Sequence, residues 1–156
     1  MSDYTSKHIK HAVMSYFRFQ RQMLCASECL CMDVCAISDK DVHEVEVKIS
    51  KSDLWNGEKR KFKHSDYKLS VGGHRYAPTK FSIAVPEELL LEAKLWVSKT
   101  NPKYGIIFCR GGRVFIDKSA ERLRDSFNEN FPRRVMMRVC SENIGHLGRV
   151  VSHDPK

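Results

Sequence analysis

From Ser6 to about Gln22 the apolar residues Ile9, Val13, Tyr16, Phe17 and Phe19 recur at near-helical spacing among Lys7, Lys10 and Arg18. That pattern predicts an amphipathic first helix. Three short runs of strand character follow, Met23 to Glu28, Met32 to Ile37 and His43 to Ile49. Ser38-Asp39-Lys40-Asp41, between the last two, has the composition of a hairpin turn. The first third of the chain therefore reads as a helix followed by a meander.

Ser50 to Asp53 offers capping side chains ahead of Leu54, so a second helix is expected to start there and run through the basic stretch Lys59-Arg60-Lys61-Phe62-Lys63-His64. Gly72-Gly73 reads as a loop, Lys80 to Val85 as a buried strand, and Pro86 as the entry to a helix over Glu87 to Lys99. Tyr104 to Cys109, the Gly111-Gly112 turn and Arg113 to Ile116 form a further hairpin. Helices from Ser119 to about Asn128 and from Pro132 to about Val151 end the pattern. The order α-β-β-β-α-β-α-β-β-α-α predicts the α/β class, a mixed sheet flanked by helices. With no repeat and no dividing linker, residues 1–156 are expected to form one domain.

Charge narrows the partners. Lys and Arg number 27 against 19 Asp and Glu, a formal +8, which favours a polyanion bound through its phosphates. The sequence has no run of about 18 apolar residues and MSDYTSKHIK lacks a secretory apolar core, so no membrane partner and a cytoplasmic location are expected. In a reducing compartment the six cysteines should be free thiols. Cys25, Cys29, Cys31 and Cys35 could in principle hold zinc or an iron–sulfur cluster. Their C-x3-C-x-C-x3-C spacing lacks the usual paired knuckles, which favours buried thiols.

The chemistry concentrates on Asp33, Glu46 and Lys48. Strand side chains alternate with period two, so Glu46 and Lys48 emerge on one face while Val45, Val47 and Ile49 take the other. A hairpin turn at residues 38–41 would carry Asp33 towards that pair. Asp33 and Glu46, with the Val47 carbonyl, would offer oxygen donors suited to Mg²⁺ or Mn²⁺. Lys48 would orient water or stabilise charge developing at a phosphorus centre.

Asp33 followed by Glu46-Val47-Lys48 on the next strand resembles the PD-(D/E)XK nuclease superfamily. Residues Val45 to Leu54, the Phe81 to Pro86 strand and Tyr104-Gly105-Ile106-Ile107 look most similar to MmcB-like DNA repair proteins within it. The resemblance implies a restriction-endonuclease-like αβββαβ core over about residues 6–116, with residues 117–156 as a helical extension. It implies a Mg²⁺- or Mn²⁺-dependent deoxyribonuclease acting in DNA repair, recombination or processing, with catalytic Asp33, Glu46 and Lys48, and it allows a homodimer. The alternative is a DNA-binding module that keeps the fold without cutting. Met32 precedes Asp33 where the superfamily often has proline, and the first helix offers His8 and His11 rather than a glutamate; Glu28 is the substitute metal ligand.

For DNA contact, Lys59, Arg60, Lys61, Lys63 and His64, interleaved with Phe62 and Tyr67, have the make-up of a phosphate-tracking helix. Arg75, in the glycine-bordered loop with His74 and Tyr76, is a further candidate. Asp53 is expected to cap the second helix, and Arg133, Arg134, Arg138 and Arg149 decorate the last, whose role as cap, DNA contact or subunit contact stays open.

Overall fold

Both faces of a six-stranded sheet are covered, which is why its central strands are buried almost without interruption instead of alternating. The structure, a computed structural model, describes residues 4–58 and 61–153. The strands are β1 Leu24–Cys29, β2 Met32–Ile37, β3 Val42–Val47, β4 Lys80–Pro86, β5 Gly105–Arg110 and β6 Arg113–Lys118, and they lie in the sheet in chain order. β1, β2 and β3 form an antiparallel meander, β3, β4 and β5 run parallel, and β6 returns antiparallel. The β2–β3 turn is as expected: Ser38 N–H donates to the Asp41 carbonyl, and the Ser38 hydroxyl accepts from the amides of Lys40 and Asp41.

On one face lies α1 (Ser6–Ser15), continued by a π-helical turn over Tyr16–Gln20. Ile9, Val13 and Phe17 pack there on Val34, Ala36, Val45, Val47, Ala84 and Ile107, and Phe19 is left exposed. The opposite face carries α3 (Leu90–Thr100), whose Ala93, Trp96 and Val97 meet Phe81, Ile83, Val85 and Tyr104. Beside it, α4 (Phe131–Ser152) sets Phe131 and Val135 against Ala26, Cys35, Ile37 and Val42. The second half of α4 presents Ile144, Leu147, Val150 and Val151 to solvent.

One expected helix is cut short and another is not found. The chain is helical to Glu58, including a π-helical turn over Asp53–Gly57, and resumes only as the one-turn α2 (Lys63–Asp66), because Lys61 and Lys63 turn inward to buried carboxylates. Residues 119–128 form no helix. Long-range bonds hold that segment open: Leu123 N–H donates to the Thr79 carbonyl, Arg122 pairs with Asp41, and Arg124 donates to the carbonyls of Gly72, Asp66 and Leu69.

The four clustered cysteines do not share a site. Cys25 packs on the α1 face, Cys29 and Cys35 lie in the cluster under α4, and Cys31 is exposed at the β1–β2 turn. Thiols on opposite faces of a sheet cannot close a tetrahedron around one ion. No helix among the described residues is long and apolar enough to cross a membrane.

Candidate active site

β3 delivers the site. Its odd-numbered valines enter the core beneath α1, so Glu44, Glu46 and then Lys48 project from the other face. All three are buried. Carboxylates seldom tolerate such burial unpaired, and here the segment after β3 supplies the counter-charges. Lys63 Nζ bridges Glu44 Oε1 and Glu46 Oε1. Lys61 Nζ lies 2.7 Å from Glu46 Oε2 and 2.8 Å from Glu58 Oε1. Lys48 Nζ is 2.7 Å from Glu58 Oε1, 3.5 Å from Asp53 Oδ1 and 3.9 Å from Glu46 Oε2.

An aromatic wall closes the network behind the charges. Tyr67 donates its hydroxyl proton to Glu44 Oε2. His64 Nε2–H donates to Glu58 Oε2 at 2.6 Å, and its Nδ1 meets the Tyr104 hydroxyl at 2.8 Å. The His64 ring stands edge-on to Phe81 and Trp96.

Burial and pairing pull the carboxylates apart in acidity. Burial pushes Glu44 up to about 7 against the opposing pull of Lys63. Burial also acts on Glu46, but Lys63 and Lys61 outweigh it and hold that carboxyl below the ordinary range. Glu58 is likewise held low, burial being overcome by the hydrogen bonds of His64, Lys48 and Lys61. Burial lowers Lys61, but Glu46 and Glu58 prevail and leave its ammonium harder to deprotonate than usual.

Asp33 stands on the neighbouring strand. The pairing of Val34 with Val45 sets Asp33 across from Glu46 in register. Asp33 Oδ2 accepts the Val47 N–H at 2.8 Å, and Oδ1 lies 3.0 Å from Lys10 Nζ. Lys10 also pairs with Glu28, which has a positive φ beside the β1–β2 turn and is largely exposed.

Most of the sequence-predicted residues fall into two groups. Glu46, Lys48, Lys61, Lys63 and His64 gather in one network, and Asp33, Val47 and Glu28 are linked through Lys10 and the Val47 amide. Lys61, Lys63 and His64, read from sequence as a DNA-facing helix surface, instead look into the protein: His64 is buried, and both lysines are committed to glutamates. Lys59 and Arg60 lie outside the described residues. Asp53 pairs with Lys48, and its own amide is capped by the Ser50 hydroxyl at 3.1 Å, so the cap is Ser50. Sequence reasoning passed over Glu44 and Glu58. The period-two signal that singled out Glu46 applies equally to Glu44; nothing local marked Glu58.

Arg75 lies in a different cluster. Arg75 and Arg134 each place a guanidinium over the Tyr76 ring, at 5.5 and 5.8 Å from its centroid, and with Arg133 they line a shallow depression that contains no carboxylate among the described residues. Tyr76 rests on Phe131 in the cluster holding Val42, which shares its face of β3 with Glu44 and Glu46.

No family model and no curated protein matches this chain. A solved structure does: the SPO1766 protein of unknown function from Silicibacter pomeroyi aligns with a TM-score of 0.66 over 99% of this chain and 98% of that one, at 12% identity. At that identity the likeness is one of fold.

Proposed function

We propose that the protein is a metal-dependent nuclease that hydrolyses DNA phosphodiesters, built on a restriction-endonuclease-like core. The observation that carries this reading is the register that sets Asp33 opposite Glu46, with the amide between Glu46 and Lys48 bonded to the Asp33 carboxylate. Two carboxylates on adjacent strands and an ammonium two residues on are the parts a phosphodiesterase of this kind needs.

Among the described residues no three acidic, histidine or cysteine side chains converge on one point; a Mg²⁺-class cation would draw its oxygens from one carboxylate of each strand and the Val47 carbonyl, with water and substrate phosphate completing the shell. Each carboxylate is now neutralised by a lysine arriving on a flexible stem, Lys10 on Asp33 and Lys61 with Lys63 on Glu46. Bound there, the cation would supply Lewis-acid stabilisation of the phosphate and acidify water. The chain's own work is positional. Lys48, held between Glu46 and Glu58, stays close to the scissile group, and His64 and Tyr104 fix Glu58 so that Lys48 keeps its place.

DNA would be gripped by Arg75, Arg133 and Arg134 around Tyr76, on the sheet face that bears Glu46. Guanidiniums pair with phosphates, and a tyrosine ring beside them suits an unpaired base.

The test is cleavage of duplex, flap, junction and single-stranded DNA with Mg²⁺ or Mn²⁺. Asp33→Asn and Glu46→Gln should each abolish it; undiminished cleavage by either folded variant defeats the reading. One observation favours a non-cleaving DNA-binding module instead: both oxygens of Glu46 and both of Asp33 already have partners. DNA retained in a gel but left intact on every substrate with both metals would select that reading.

A further inference from the structure

We propose that the cavity beneath the π-helical turn, on the α1 face of the sheet near the start of β3, binds a phosphate group. It lies on the opposite face from Glu46. Its volume is about 200 Å³, and its lining includes Arg21, His43, Lys80, Ser82, Lys118 and Ala120. Among the described residues no carboxylate lines it.

The charge is strongly one-sided. Among the described residues neither Arg21 nor Lys118 has a carboxylate within ion-pair distance. Lys118 is held by carbonyls alone, that of Pro102 and, at 2.9 Å, that of Tyr104, which fix its ammonium without cancelling it. Lys80 pairs with Asp41 at 3.2 Å, but Asp41 also takes Arg122 at 2.7 Å, so one carboxylate serves two cations. Positive charge collected in a recess with no acid in its lining attracts anions.

Directed donors accompany the charge. The His43 Nε2 and Ser82 Oγ are 2.7 Å apart. A side chain at Gly105 would stand 2.3 Å from Ser82 Oγ and 2.8 Å from the Ala120 nitrogen, so glycine there keeps the hydroxyl and this amide side by side. The Ala120 N–H has no hydrogen-bond partner among the described residues. A free amide, a hydroxyl and two unneutralised cations suit the several acceptor oxygens of a phosphate better than the two of a carboxylate. Size sets the other bound: drug-sized ligands occupy about 300–1,000 Å³, more than this recess offers. It fits the phosphate group itself, whether free or at the end of a larger molecule.

Inorganic phosphate titrated into the 156-residue protein by calorimetry and ³¹P NMR should show saturable binding. The Arg21→Ala/Lys118→Met double variant should weaken it at least tenfold, since each charge-assisted hydrogen bond removed is worth about 1.5–3 kcal/mol, or more than tenfold in affinity. Ser82→Ala should weaken it less. A matched pair of oligonucleotides, 5′-phosphorylated and 5′-hydroxyl, separates the sources: an Arg21-dependent preference for the phosphorylated one assigns the site to a nucleic-acid end, and its absence assigns it to the free ion. Phosphate that fails to bind, or binds equally to the folded double variant, overturns the proposal. Asp33 and Glu46 are untouched by these substitutions, so failure here leaves the nuclease reading to its own test.

Discussion

Glu44 and Glu46 leave the same face of β3 and share the ammonium of Lys63, each through its Oε1. Both carboxyls are almost fully buried, so their charge depends on a lysine that comes from the next segment of chain rather than from the sheet. Removing one partner of a buried ion pair leaves an uncompensated charge, which typically costs about 3–5 kcal/mol. Lys63→Met should destabilise the protein by that order in urea unfolding, while Lys51→Met, at an exposed pair with Glu92, should change it by less than about 1 kcal/mol. Equal effects from the two would refute the assignment.

Acid stability contains two opposed contributions. Glu44, raised to about 7 by burial, binds its proton more tightly folded than unfolded; its contribution is complete below about 4.5 and lost as pH rises through 7. His43, pushed down to about 3 by burial and then by Lys80, behaves oppositely: its contribution is present above about 6.5 and lost as pH falls towards 3. Between pH 7 and 5 the two offset each other. Glu44→Gln should make the protein more sensitive to acidification over that range, and His43→Gln should make it gain stability. Unfolding curves at pH 5 and 7.5 measure both slopes, and parallel behaviour of the two variants contradicts this account.

If DNA is held around Tyr76, Arg75→Ala, Arg133→Ala and Arg134→Ala together should weaken binding. They should also flatten the dependence of log affinity on log salt by about 0.9 for each duplex phosphate no longer neutralised. Lys63→Met should leave that slope alone, because its charge is spent on Glu44 and Glu46. Fluorescence anisotropy across a salt series distinguishes the surfaces.

Thiol labelling of the native protein should be confined to Cys31 and Cys140, the exposed pair. Burial raises the thiols of Cys25 and Cys109 to about 11 and pushes Cys29 and Cys35 up as well, so little thiolate forms at neutral pH. Mass spectrometry after brief iodoacetamide treatment should find two adducts; rapid labelling of Cys35 would show that the sheet opens there.

The strands and the two large helices were legible because their signals are local: period-two valines in β3, the Ser38 turn, Pro132 at the start of α4. That Asp33 stands across from Glu46 in register was legible because a hairpin of known turn fixes register, although their side chains join different partners. Lys61, Lys63 and His64 were misread for a matching reason. Composition records that Lys61 and Lys63 are cations but not that Glu58 and Glu46 lie within 3 Å of Lys61, a distance set by how residues 61–67 fold back over β3. Residues 119–128 were misread similarly: Ser119 suits a helix cap, but the carbonyls of Thr79 and Leu69, far off in sequence, secure the chain in an open path.

The chain-order sheet has a kinetic corollary. Hairpins β1–β2, β2–β3 and β5–β6 need only short closures, whereas β3 meets β4 after the whole of residues 48–79 has been gathered in. Loop closure is an entropic cost that grows with length, so this junction costs the most to close, and the same stretch carries the cations for Glu44 and Glu46. Until it arrives, the charged face of β3 is left to water, and the docking of residues 61–67 both covers that face and discharges it.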